Sequence, residues 1–518
     1  MLPLDPTTAR TIILHADDDV AIARAPLTVG RRIDGNGAGV VTVRETVPVG
    51  HKVALRPIGQ GEPIRRYGQI IGFATADIVA GEHVHSHNLA VASFARDYAF
   101  GVEVRPVDFV PVAERRTFQG YRRPDGRVAT RNVLAVISTV NCSAFTTRRI
   151  AERARAELLP RFPHVDDIIG LTHKSGCGAR YGGPELDLLQ RALAGFARHA
   201  NVAGFVLVSL GCEINQISYL IESQTLYMPG EAPRFPPAVL IQEEGGVAAT
   251  VEAGLAAVAR LLPAADMARR TTVDASHLSV ALQCGGSDGW SGVTANPALG
   301  HACDPIVAQG GTVCLAETPE IYGAEHMLTR RAASRAVGEK LVERIHWWED
   351  YTGRQDMAMD NNPTPGNKAG GLTTIYEKSL GAVAKAGTTP LMEVLEYAQP
   401  ITRRGFVYMD TPGYDPVSCT GQVAGGCNII AFTTGRGSCF GFKPAPSIKI
   451  ASNSDMYRRM LSDMDIDAGR ILDGASVAEV GEEILDLLLR VASGEPSRSE
   501  AQGIGEDEFN PWIIGATM

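Results

Sequence analysis

Four cysteines stand in glycine-rich turns, each at the end of an apolar run. They are Cys142 in Val-Asn-Cys, Cys177 in His-Lys-Ser-Gly-Cys-Gly, Cys212 in Leu-Gly-Cys-Glu and Cys284 in Gln-Cys-Gly-Gly-Ser-Asp. Thiolates ligate iron–sulfur clusters. A single ferrous or manganous ion prefers imidazole and carboxylate, with cysteines only lining the cleft. Small buried cysteines also fill tight strand–helix turns. No two of the four form a Cys-x-x-Cys pair, which tells against a 4Fe–4S cluster. The runs before them (VLAVIST, DIIGLT, GFVLVS, LSVALQ) read as buried strands, so one cleft at a sheet's carboxyl edge is expected. His173 and Glu213 share these turns.

Imidazoles form a second set. His83, His85 and His87 alternate in Gly-Glu-His-Val-His-Ser-His-Asn, and His15 ends an earlier run. Alternate residues of a strand share a face, and three imidazoles on one face can hold a divalent metal, or an anion when protonated. A solvated edge strand gives the same pattern. His51 opens the run KVAL.

A third set is built for anions. Ser287, Asp288 and their glycines, Asn367-Lys368 in Pro-Gly-Asn-Lys-Ala-Gly-Gly, and Arg436 in Thr-Gly-Arg-Gly offer N–H groups, hydroxyls and two cations. Neither a Walker A loop nor a Gly-x-Gly-x-x-Gly fingerprint occurs. Glu317 and Glu320 follow the run GGTVCLA. Strand-end carboxylates carry protons or metals, and equally suit a helix N-terminus.

The elements that must position these groups fall into parts. The 518 residues exceed one hydrophobic core. Residues 10–96 read as a small β domain of short runs broken by Gly, Pro and Asp, and 97–119 as an extended linker. Over 120–272 and again over 273–518, strand-like runs alternate with helical ones, predicting α/β layers with mainly parallel sheets. A helical stretch is expected over 325–351 and a closing helix over 477–492. Net charge is −9 with no basic run, which argues against a nucleic-acid partner. No apolar stretch reaches the roughly 18–20 residues that span a bilayer, so no membrane role is expected. No secretory signal is visible at the N-terminus. The nine cysteines, an odd number without a disulfide-like framework, fit a reduced, cytoplasmic protein.

Several of these segments carry a resemblance. LHADDDVAIA, VPVGHKVAL, RYGQIIGFA, GEHVHSHN, GYRRPDGRVATRN, HKSGCG, LGCE, CGGSDGWSGVTANPALG, ETPEIYGAE, PGNKAGGLTTIYEKSLG and FTTGRGSCFG resemble the altronate dehydratase / galactarate dehydratase family of sugar-acid hydro-lyases. The resemblance implies a small N-terminal SAF-type β-clip domain followed by α/β layers. It implies Fe²⁺-dependent removal of water from an aldonate or aldarate, Mn²⁺ being the other candidate ion. GEHVHSHN and EIYGAE resemble the altronate branch. That points to D-altronate dehydrated to 2-keto-3-deoxy-D-gluconate, with galactarate or another sugar acid as the alternative. On this chemistry His15 and His85, with His83 or His87, would hold the metal, and His51 or His173 would be the base. Glu213 and Glu317 are further catalytic candidates. Lys368 and Arg436 would hold the substrate carboxylate, and Asn367, Ser287 and Asp288 its hydroxyls. A non-catalytic sugar-acid-binding protein is the alternative of another class. Homo-oligomerisation is left open.

Overall fold

The computed structural model describes residues 10–37, 39–94, 96–227 and 235–514. Glycine and proline punctuation cuts the first 90 residues into strands of two to six residues. They form three small antiparallel sheets: a four-stranded one ordered Thr11–Ile12, Val20–Ala23, Lys52–Ala54, His83–Val84; a three-stranded one; and a hairpin. Part of this unit closes a small core of its own, with Ala21, Leu27, Ile33, Val41, Val47 and Val53 buried together. Val20, Ala54, Ile58, Ile64, Ile71 and Val84 instead join the same buried cluster as the largest sheet of the body.

The body carries two wholly parallel sheets. The middle one is ordered Asp167–Leu171, Val133–Ser138, Val202–Ser209, Ala238–Leu240. The larger one has seven strands, ordered Leu391–Leu395, Gly405–Met409, Thr312–Leu315, Ser279–Cys284, Ile429–Thr434, Ser447–Ala451, Ile466–Asp467. Every residue of Val133–Ser138 and Ile429–Thr434 is buried, as expected of parallel strands covered by helices on both faces. The closing helix spans Val477–Ala492.

Three boundaries differ from expectation. The segment read as a linker ends inside a strand: Thr117–Arg122 pairs antiparallel with Val128–Ala129 and with Arg270–Asp274. That pairing also carries a strand across the boundary expected at 272. The stretch before it is tied to the body, through Gly101 N–H to Thr329 C=O at 3.0 Å and Val110 N–H to Ala308 C=O at 2.9 Å. The helix expected over 325–351 is two, His326–Thr329 and Arg335–Arg354. One helix, Val247–Asp266, is by length and composition apolar enough to cross a membrane, unlike the expectation. It carries Glu252, Arg260 and Asp266, and its Val251, Leu255, Val258 and Leu262 pack into the core of the middle sheet.

Candidate active site

Strand pairing builds an imidazole cluster on the small domain. Lys52 lies opposite Val84 and Val53 opposite His83, so His51, one residue before its strand, falls beside His83. His51 Nδ1 is 3.0 Å from His83 Nε2, and the His51 and His85 ring centroids are 4.7 Å apart. Asn88 shapes the turn after His83, accepting from His85 N–H at 2.9 Å and donating to His83 C=O at 3.0 Å. One ligand atom from each of His51, His83 and His85 falls within 4.8 Å of the others. Burial lowers all three basicities, His83 to about 3 and His85 to about 4. The rings are therefore neutral at pH 7, the form that binds metals. His85 Nδ1 is buried without a hydrogen-bond partner among the described residues. Three neutral imidazoles with one orphaned nitrogen fit a divalent metal.

The expected histidine set is regrouped. His51 joins His83 and His85. His15 lies outside the group, half exposed beside Asp17, its Nδ1 accepting from Asp17 N–H at 3.2 Å. His87 is exposed, its ring 5.5 Å from that of His83.

A buried carboxylate locks this domain onto the body. Glu377 accepts from Lys52 Nζ at 2.9 Å and also pairs with Arg66; all three side chains are buried. Lys52 continues to Gly371 C=O at 2.7 Å, and Arg66 to Gly289 C=O at 2.7 Å. The two cations hold Glu377 at about 2 despite its burial. A Cβ on Gly289 or Gly371 would lie 2.3 Å from Gly50 C=O, so the two backbones meet only because both residues lack one. Sequence reasoning missed this triad; a lone Lys, Arg and Glu in separate segments carry no spacing signal.

The docking brings the glycine loops to the imidazoles. His51 Nε2 is 3.4 Å from Ala369 C=O, on the short helix Pro365–Ala369 that carries Asn367 and Lys368. A Cβ on Gly370 would lie 3.1 Å from Arg436 Cδ. Neither the Lys368 ammonium nor the Arg436 guanidinium is hydrogen-bonded or ion-paired to a described residue. The other candidates here hold the loops. Asn367 caps its helix with Thr364 and donates to Ser287 C=O at 2.8 Å. Buried Asp288 accepts from Ser452, Ser291, Asn453 and the Trp290 amide. Ser287 is buried.

A sealed nest lies at the carboxyl edge of the large sheet. Cys284 Sγ is 3.4 Å from Glu320 and 3.7 Å from Glu317. Lys385 meets Glu317 at 3.4 Å and Lys378 meets Glu320 at 2.7 Å. Glu317 has φ 69°, and its Oε1 is buried without a described partner. Burial, then the neighbouring Glu320, pushes Asp415 up to about 7 and Glu317 well above the carboxylate range. Burial raises the Cys284 thiol to about 12, so it is inert. Sequence reading found Glu317 and Glu320 but not their lysines.

The single cleft expected from four cysteine turns is divided between the two sheets, because Cys284 belongs to the large one and the others to the middle one. There His173 is buried, donates from Nε2 to Ser138 C=O at 3.0 Å and accepts from Ser175 N–H at 3.2 Å; burial lowers it to about 4. Glu213 accepts from Thr139 Oγ1 and Gly211 N–H, each at 2.7 Å, and from Ser209. Burial would raise its pKa, but these donors bring it below the usual value. Both residues hold turns together.

Comparison with known proteins covers the same three parts. Residues 9–92 match the altronate/galactarate dehydratase SAF domain, 120–266 the D-galactarate dehydratase/altronate hydrolase second domain, and 275–517 the D-galactarate/altronate dehydratase C-terminal domain. The chain is 35 % identical to an altronate dehydratase of Bacillus subtilis (93 % of this chain, 95 % of the relative). It is 34 % identical to an altronate dehydratase of Escherichia coli (96 % and 97 %). It is 37 % identical to an L-threo-forming galactarate dehydratase of Escherichia coli (94 % of each). A SAF domain presenting imidazoles to cationic glycine loops on parallel α/β layers is thus matched along nearly its whole length, and the chain belongs to the altronate/galactarate dehydratase family of sugar-acid hydro-lyases.

Proposed function

We propose that this hydro-lyase dehydrates D-altronate to 2-keto-3-deoxy-D-gluconate at the junction of the SAF domain and the body. The carrying observation is convergence: His51 of the imidazole cluster reaches Ala369, the residue after Lys368, and the Arg436 side chain passes beside Gly370, the residue after that. A 2,3-dihydroxy acid loses its α-proton and then its 3-hydroxyl, and the resulting enol tautomerises to the 2-keto-3-deoxy acid. His51, His83 and His85 would hold a divalent metal, Fe²⁺ first and Mn²⁺ second, which would supply Lewis-acid chemistry to the reacting acid. Arg436 and Lys368 neutralise the carboxylate, where charge grows as the α-proton leaves. Both cations sit at one loop junction, which suits one carboxylate and favours an aldonate. Galactarate is the second reading, carried by the 37 % identity to a galactarate dehydratase; its second carboxylate requires a further cation.

A panel of C5 and C6 aldonates and aldarates, assayed for 2-keto-3-deoxy acid with and without Fe²⁺ or Mn²⁺, tests this. Metal-dependent turnover of D-altronate is expected. Turnover of galactarate alone selects the second reading, and binding without turnover selects a sugar-acid-binding protein.

A further inference from the structure

The middle sheet holds reactive groups that the proposed reaction leaves unused. Its three adjacent strands Asp167–Leu171, Val133–Ser138 and Val202–Ser209 each run at the carboxyl end into a turn with one exposed cysteine: Cys177, Cys142 and Cys212. Only one other cysteine of the chain, Cys439, is exposed. Far apart in sequence, the three turns are bonded into one cradle. Asn141 N–H donates to Ser175 C=O at 2.9 Å, and Asn215 N–H to Gly176 C=O at 3.1 Å. The Asn215 side chain donates to Thr139 C=O at 2.9 Å. Gly176, with φ 96°, is pressed so closely on Thr139 and Val140 that a Cβ would lie 2.4 Å from the Thr139 oxygen. His173 and Glu213 spend their polar atoms fixing these turns, and of the three thiols Cys212 Sγ accepts from Gln242 Nε2 at 3.4 Å.

We infer that Cys142, Cys177 and Cys212 hold an iron–sulfur cluster by three thiolates, separate from the imidazole site. A single tetrahedral ion with metal–sulfur bonds of about 2.3 Å draws its sulfurs to within about 4 Å of one another. Two groups of described residues bring three ligand atoms within 4.8 Å, and these thiols are in neither. A 4Fe–4S cubane carries its thiolates on separate corners, and so accepts one from each of three neighbouring turns. With three ligands, one iron is left open toward solvent.

The test uses the full chain, reconstituted without oxygen with equal amounts of ferrous and ferric iron and with sulfide equal to total iron. A broad brown absorbance with about four iron and four sulfide per chain is expected, with a cubane EPR signal after one-electron reduction. Cys142→Ser, Cys177→Ser and Cys212→Ser should each lose it; Cys439→Ser and His83→Ala should keep it. Where a serine variant fails to fold, wild-type protein decides: the three thiols should be alkylated in the apo chain and protected after reconstitution, as read by mass spectrometry. Absence of the chromophore, a cluster that survives in the triple variant, or one metal ion bound without sulfide overturns the inference. The cluster is read by colour, EPR and metal count, so its failure is distinct from failure to turn over a sugar acid.

Discussion

His51 Nδ1 lies 3.0 Å from His83 Nε2 although 32 positions separate the two residues. The antiparallel pairing of Lys52–Ala54 with His83–Val84 creates this contact. Between two neutral imidazoles at that distance one ring's N–H donates to the other's lone pair; with that proton on its ring's other nitrogen, both facing nitrogens would be free to hold a metal ion.

Removing either imidazole should therefore abolish specific metal binding. His51→Ala or His83→Ala should lower Mn²⁺ affinity by more than the roughly 10–100-fold typical of supporting contacts. His15→Ala should leave it within a few-fold. Equilibrium dialysis with metal analysis checks this; normal binding in both cluster variants would move the metal elsewhere.

Arg436→Ala and Lys368→Ala should lower kcat as well as raise KM, by about tenfold or more in kcat/KM for each lost charged contact. Arg436→Lys should recover little, because an ammonium lacks the bidentate fork. Melting temperature should stay put, since neither cation is bonded to a described residue. Unchanged steady-state kinetics with a lowered melting temperature would assign both to structure.

Glu377→Ala strands Lys52 and Arg66 in the interior. Breaking a buried ion pair from one side costs about 3–5 kcal/mol, so this variant should be the most destabilising of those named here, with turnover lost alongside. The Glu377 carboxyl is held at about 2, below its unfolded value near 4.3. Its contribution is thus full above about pH 4.3 and fades as pH falls toward 2. Denaturant titrations of wild type and Glu377→Gln at pH 7 and pH 3 should show the gap between them narrowing at the lower pH.

Asp415 gives the opposite sign. Burial and Glu320 raise it to about 7, above its unfolded value near 3.9. The folded protein then binds this proton better than the unfolded chain, and the resulting stability is full below about pH 4 and lost as pH rises through 7. Asp415→Asn should flatten the fall in melting temperature between pH 5 and pH 8. An unchanged slope would place the proton elsewhere in the nest.

The strands of both parallel sheets were legible because burial on both faces writes continuous apolar runs; the predicted run VLAVIST corresponds to Val133–Ser138. The alternate histidines were legible as a metal motif, but only half of the spacing survives. The strand ends at Val84, the turn carries His87 outward, and His51 from the next strand takes its place. A register between strands cannot be read from one strand's alternation. The turns that carry the cysteines show the same limit: parallel strands return the chain to one edge each time, so turns some 35 residues apart are hydrogen-bonded to one another, as Asn141 is to Ser175. The lysines of the Glu317–Glu320 nest gave no warning, because buried cations are identified only by the carboxylates they meet.

The grip of Glu377 on Lys52 and Arg66 also sets an order of events during synthesis. Both cations leave the ribosome some 300 residues before the carboxylate that neutralises them. Until that segment emerges, the small domain has its strands and its own small core but no seat, and the apolar side chains destined for the core of the large sheet, Val20, Ile58, Ile64, Ile71 and Val84 among them, face water. Truncated chains that stop short of residue 377 should be the form of this protein most in need of a chaperone.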